Sequence, residues 1–326
     1  MFFSTRTRAS LIAVILVFWI GFATAGDNMD KPLPETIEIT PKLLADPFLQ
    51  LPTTDSVNVV WFTNFKGQQH QLFYGDGQIA HATTRKMTSM FEDADSSQQG
   101  SHYDTLTLRR VYRHEATATG LSPGQRVAYH VCSQTAEGQT LASKRFTLAP
   151  LPAPQQPLKI LLTSDLQSKT NSPANYQKVV ETIGIPDAVF FAGDLVNIPD
   201  RASEWFDQME DGAPPFFPTM QGRYQQLKPD SPYNGGEILQ HSPLFAAIGN
   251  HEVMGRFLPG QPDHRMNNSF NDPQPRWYAE IAYEQLKQQI NPQNDPQIKS
   301  QWILDNSHNH QTYLEVFSFP EDGPRG

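Results

Sequence analysis

Three short apolar runs, each cut off by a polar tip, constrain this chain more than any other feature in it. Residues 158–163 read LKILLT and run into Ser164-Asp165-Leu166-Gln167. Residues 188–192 read AVFFA and run into Gly193-Asp194-Leu195-Val196-Asn197. Residues 243–248 read PLFAAI and stop at Gly249-Asn250-His251-Glu252. The first two have no turn residue and no polar alternation, which is how a strand buried on both faces reads. Between them, 175–183 predicts a crossover helix, ended by Gly184 and Pro186. Strand, helix and strand in that order predict a parallel β-α-β unit. Asp165 and Asp194 then fall just past the carboxyl ends of two strands, the edge where open α/β sheets bind ligands. The third tip adds an amide oxygen from Asn250 and an imidazole from His251. Carboxylate, amide and imidazole together suit a divalent or trivalent metal in a polar cleft.

The tips are also carried in the order and form of a known family. SDLQ, GDLVN and GNHE resemble the blocks D-x-H, G-D-x-x and G-N-H-[DE] of the calcineurin-like metallophosphoesterase superfamily. The resemblance implies a four-layer α/β/β/α domain that hydrolyses phosphate mono- or diesters with two divalent metal ions. Two metals about 3.5–4 Å apart would supply a hydroxide at neutral pH and positive charge opposite the phosphoryl oxygens. Carried over residue by residue, Asp165 would bind the first metal, Asp194 would bridge the pair, and Asn250 would bind the second. His251 would be catalytic, beside the leaving group rather than on a metal. Glu252 would orient His251 from behind. Gln167 stands where the superfamily has a His ligand and would offer a carbonyl oxygen, a poorer ligand for zinc or iron than imidazole. Asn197 stands where purple acid phosphatases carry a Tyr, so no coloured ferric centre is expected; zinc, manganese, iron and calcium all stay open as the metal. The family's later His and its G-H-x-H block have no counterpart: the later histidines are His264, His308 and His310. His308-Asn309-His310 follows no apolar run and reads as surface. The segment 313–326 (TYLEVF, then FP, then GP) resembles one that precedes further ligand-bearing strands, so the chain is expected to hold a partial domain, inactive or incomplete as it stands.

The remainder of the chain reads differently. Residues 1–25 have Arg6 and Arg8, an apolar stretch over 11–22, and Ala23-Thr24-Ala25. That is the layout of a cleaved export signal, with too short a core for a membrane span. The mature protein is therefore expected to be secreted or periplasmic, without stable membrane association. Residues 35–148 have the texture of a β-sandwich, with strands expected at 57–63, 71–74, 103–108, 111–118, 126–132 and 141–148 and turns at 75–77 and 121–124. GLSPGQRVAYHV resembles a fibronectin type III strand approach. DPFLQ followed by VNVVWFT resembles the opening of the N-terminal domain of purple acid phosphatases. Trp61, Phe62 and Tyr129 read as core. Residues 149–157 hold four prolines and predict a stiff linker that spaces the sandwich from the domain at 158–326. Further helices are expected at 202–209, 277–290 and 298–306. The Pro-, Gly- and aromatic-rich stretch 212–236 reads equally as a pocket-lining loop or as a surface insertion. A formal charge of −9 argues against nucleic acid as a partner. The lone Cys132 rules out an intrachain disulfide and a cysteine-built zinc site.

The expected fold class is thus a two-domain α+β chain, a fibronectin-like sandwich and then a partial metallophosphoesterase domain. The expected partner is a small phosphate ester. The competing expectation is a non-catalytic exported binding protein whose metal site has decayed.

Overall fold

The computed structural model describes residues 40–94, 96–253, 276–305 and 310–320. The expected export signal at 1–25, His264, His308 and residues 321–326 lie outside them.

The N-terminal part is two antiparallel sheets. Its strands are β1 (Phe48–Gln50), β2 (Val57–Thr63), β3 (Gln69–Tyr74), β4 (Gln78–His81) and β5 (Thr83–Lys86). A short pair, β6 (Phe91–Glu92) and β7 (Thr107–Leu108), precedes β8 (Tyr112–Ala118), β9 (Val127–Gln134), β10 (Thr140–Ala142) and β11 (Phe146–Leu148). One sheet runs β1-β2-β8-β5; the other runs β10-β9-β3-β4, with β11 also on β9. The stretch 141–148 is therefore two strands around a break, and 103–108 supplies only the two residues of β7. Between the sheets lies a core of Val57, Val59, Trp61, Leu72, Tyr129 and Val131.

Strand β2 explains its own irregular pattern. Val57, Val59 and Trp61 face the core between the sheets. Val60 and Phe62 point the other way, into a second core shared with the rest of the chain. Successive strand residues project to opposite sides, so VNVVWFT is apolar at nearly every position because both sides are covered.

The second part contains β12 (Ile160–Thr163), α1 (Ser172–Ile183), β13 (Ala188–Phe191), α2 (Ala202–Phe206), α3 (Phe216–Met220), α4 (Tyr224–Leu227) and β14 (Leu244–Ala246). Helices α5 (Arg276–Ile290), α6 (Pro296–Asp305) and α7 (Gln311–Val316) follow. Among the described residues none is long and apolar enough to cross a membrane. β12, β13 and β14 form one parallel sheet in that order, with Leu161 opposite Val189 and Val189 opposite Leu244. One face of it packs Leu161, Val189, Phe191 and Leu244 against Tyr176, Val179 and Val180 of α1 and Phe216 of α3. The other face is open among the described residues. Ile160 is 50% exposed, Leu162 75% and Phe190 41%, with the Phe190 and Phe245 rings stacked at 4.8 Å. Among the described residues only one of the two expected faces is covered.

The proline-rich linker does not hold the two parts apart. They share a core in which Phe48 and Phe62 of the sandwich meet Phe217 of α3, at 5.2 Å and 5.4 Å, and Phe62 meets Phe206 of α2 at 5.2 Å. Buried phenylalanines each contribute roughly 1.5–3 kcal/mol, enough to outweigh a stiff spacer. Polar bonds cross as well: the Tyr129 hydroxyl donates to the Gln240 carbonyl at 2.7 Å, and Arg223 Nε donates to Asp46 at 2.8 Å. The 212–236 stretch is neither pocket lining nor insertion where it forms α3. Phe216, Phe217 and Met220 are fully buried there. The TYLEVF segment forms α7, which docks back: Tyr313 donates to the Ala246 carbonyl at 2.5 Å, and Glu315 accepts from the Thr88 backbone at 2.8 Å.

Candidate active site at the strand tips

The three tips lie side by side because parallel pairing runs on past the strands. The Ala192 N–H donates to the Thr163 carbonyl at 2.8 Å, Asp165 N–H to Gly193 at 3.2 Å, and Gln167 N–H to Leu195 at 3.2 Å. The chain must turn sharply to leave the sheet here. Asp165, Gln167, Ser168 and Asp194 all sit at positive φ, between 40° and 58°. Left-handed backbone costs roughly 1–2 kcal/mol at a non-glycine residue. Its concentration at one sheet edge is the kind of strain that functional sites hold.

Two glycines are required by close approach. A Cβ on Gly193, whose φ is +86°, would stand 2.6 Å from the Gly249 Cα. A Cβ on Gly249 would run into Asp194 Oδ1. The glycine of GD and the glycine of GN thus let the second and third tips touch.

Asp194 is the hub. Its Oδ1 accepts the His251 N–H at 3.0 Å, and its Oδ2 accepts Gln167 Nε2 at 2.9 Å. Beneath it, the fully buried carboxylate of Glu252 accepts the N–H groups of Asp194, Leu195 and Gly249, each at 2.8 Å. Burial pushes the Glu252 pKa up while these three amides pull it down. Glu252 therefore secures the turn that carries Asp194, and this corrects the expectation that it orients His251. The Asn197 carbonyl does that, accepting from His251 Nδ1 at 2.8 Å. A carbonyl can only accept, so Nδ1 carries the proton and Nε2 is the nitrogen able to take one. Asp165 stands exposed at the edge with Lys169 Nζ 3.8 Å from its Oδ1. Asn250 is half-buried between Gly249 and His251.

Glu204, on α2, was not legible as a site residue. Its buried carboxylate accepts the N–H of Asn197 at 2.7 Å and of Ile198 at 2.9 Å. Burial lifts its pKa to about 7, against the pull of Arg201 and the two amides. A lone acid in a five-residue helix carries no motif, and only the folded loop shows what it holds.

Two carboxylates and two amide side chains are gathered at one edge, a donor set of oxygens. Among the described residues no group of three or more His, Cys, Asp or Glu is placed to hold a metal. By its chemistry the set suits an oxygen-coordinated cation. Gln167 now turns its amide nitrogen to Asp194; as a ligand it would present the carbonyl oxygen of the same group.

Residues 46–148 match the family model of the purple acid phosphatase N-terminal domain, and residues 158–306 match that of the calcineurin-like phosphoesterases. A search of curated protein sequences found no match. Among solved structures, a purple acid phosphatase from seeds of yellow lupin (Lupinus luteus) is 18% identical, with a TM-score of 0.45 over 72% of this chain and 39% of that one. A family 28 exopolygalacturonase from Yersinia enterocolitica is 19% identical, with a TM-score of 0.19 over 45% of this chain and 27% of that one. The chain thus spans about two fifths of the lupin protein's length. Superpositions this loose carry no argument, and the likeness rests on the two family models: residues 46–148 match the purple acid phosphatase N-terminal domain and residues 158–306 the calcineurin-like phosphoesterases.

Proposed function

We propose that the strand tips serve metal-dependent hydrolysis of a small phosphate mono- or diester. The observation that carries this reading is Asp194, a carboxylate on a strained turn, fixed by Glu252 from below and touching the tips on either side. Asp165, Asp194, Asn250 and, with its amide turned, Gln167 would hold the metal. A divalent pair in such enzymes supplies a nucleophile and neutralises phosphoryl charge. His251 exchanges a proton with a substrate oxygen through Nε2, since Nδ1 is committed to the Asn197 carbonyl. Lys169 adds positive charge beside Asp165. We also propose export through residues 1–25.

The competing reading, a non-catalytic exported binding protein, draws on Gln167, whose amide nitrogen occupies an oxygen of the hub carboxylate. Calorimetry with manganese and zinc, beside hydrolysis of an aryl phosphate, separates the two. Binding of at least one cation, lost in Asp194→Asn, is expected. If the wild-type chain binds neither metal and cleaves no aryl phosphate, the enzyme reading is abandoned.

A further inference from the structure

The His251 ring donates to a loop, residues 197–200, and that loop has its own anchor. Glu204 accepts both N–H groups at its start, Asn197 and Ile198. The Asn197 carbonyl in turn accepts from the His251 ring. Trp205, next to Glu204, donates from its indole to the Pro199 carbonyl at 2.7 Å. Two successive amides aimed at one carboxylate fix the peptide plane between them, and that fixes where the preceding carbonyl sits.

The anchor is itself braced by the sandwich. Arg201 stands 3.5 Å from Glu204 and donates to Asp93 at 2.9 Å. Ser203, the residue before Glu204, donates from backbone and hydroxyl to Glu92, at 2.8 Å and 3.0 Å. Glu92 is paired with the fully buried Arg109 at 3.1 Å, and Arg109 reaches Asp207 at 2.5 Å. Glu92, Asp93 and Arg109 all belong to the β6–β7 excursion of the N-terminal part or flank it directly. The excursion therefore has a structural purpose at the other domain's active edge.

We propose that Glu204 is a positioning residue for His251: its carboxylate, braced by the β6–β7 excursion, holds the 197–198 peptide so that the Asn197 carbonyl keeps His251 in the Nδ1–H tautomer. This deepens the phosphoesterase reading and rests on it for the use of Nε2, but the tautomer needs neither metal nor substrate. A failure here therefore differs from a failure of that reading.

The experiment is nitrogen-15 NMR of the whole chain at about pH 8.5, where histidine rings are neutral. The His251 ring is assigned by its loss in His251→Gln. Wild-type His251 is expected as the Nδ1–H tautomer, with slow exchange at the Asn197 and Ile198 amides. Glu204→Gln keeps the shape but weakens the acceptor, so exchange at both amides should quicken about tenfold or more. The Nε2–H tautomer should appear beside the first, and more so in Glu204→Ala. Three results overturn the proposal: wild-type His251 in the Nε2–H form, unchanged amides in Glu204→Gln, or quickened amides with the tautomer unmoved. Should neither variant fold, wild type decides, and fast exchange at either amide overturns the idea.

Discussion

Strands β2 and β12 look wrong for the positions they hold, and the contrast is instructive. VNVVWFT interrupts its apolar residues with Asn58 and Thr63, yet five of its residues are apolar and buried. ILLT is apolar in every residue but the last, yet Ile160 and Leu162 of β12 face outward. β2 lies between the sandwich core and the core shared with α2 and α3. β12 has α1 on one side only among the described residues. A run of apolar residues records that both faces of a strand are meant to be covered; it does not say by which residues.

The two regions also differ in how they settle polar groups. Inside the sandwich the network is closed. Trp61 donates to Ser133, which meets His70 Nδ1 at 2.8 Å; His114 meets the Thr63 and Thr84 hydroxyls; and the two imidazoles stack at 3.6 Å. At the strand tips the polar side chains instead gather at an exposed edge around strained backbone. The first arrangement fixes a core, and the second leaves its polar side chains at the surface.

The largest effect is expected where the regions join. Phe217→Ala should cost about 4 kcal/mol, and wild type should unfold in a single transition by both urea and heat. Two separate transitions, one for each family segment, would break the shared-core account.

Next comes acid. Burial, then the neighbouring His70 and Arg113, hold the His114 pKa at about 2, and burial lowers that of His70. Both rings are kept neutral in the fold while the unfolded chain protonates them near pH 6.5. Their contribution is therefore complete above about pH 6.5 and is lost as pH falls. Glu92, Glu204 and Glu252, whose pKa values burial raises, act in the opposite sense, so a difference measurement is needed. Relative to His114→Gln, wild type should lose up to about 1.4 kcal/mol per pH unit below pH 6.5, roughly 2.5 kcal/mol by pH 4.5. A constant difference across urea titrations at those pH values would mean that the histidine pair is not held neutral.

The smallest effect sharpens the contrast between the sheet's two faces. Leu162→Ser on the open face should move stability by no more than about 0.5 kcal/mol. Val189→Ala, on the packed face of the same sheet, should cost about 1–2 kcal/mol. Equal costs would show that the outer face is covered in solution.

Much of the frame could be read beforehand. The parallel pairing of β12 and β13 followed from two apolar runs and a crossover helix, the third run read as a repeat of that design, and the tips drew attention to Asp165, Asp194, Asn250 and His251 because polar residues ended each run. The sandwich strands at 57–63, 71–74 and 126–132 followed from apolar spacing and turn residues. Short or polar strands such as β4 and β5 did not, because QIAH and TTRK are mostly exposed and owe their state to pairing with β3 and β8. Helix α3 was missed because FFPTM is helical through burial against Trp205 and Phe48, not through propensity.

Local chemistry along the chain was sufficient to name the more apolar strands and their polar ends, because periodicity and turn residues act over a few positions. It could not tell that Glu252 supports Asp194, that a carbonyl at Asn197 turns His251, or that Glu204 and the β6–β7 excursion stand behind that carbonyl. Those contacts join residues as far as 111 positions apart, and a hydrogen bond between distant groups exists only once packing has brought donor and acceptor within about 3 Å.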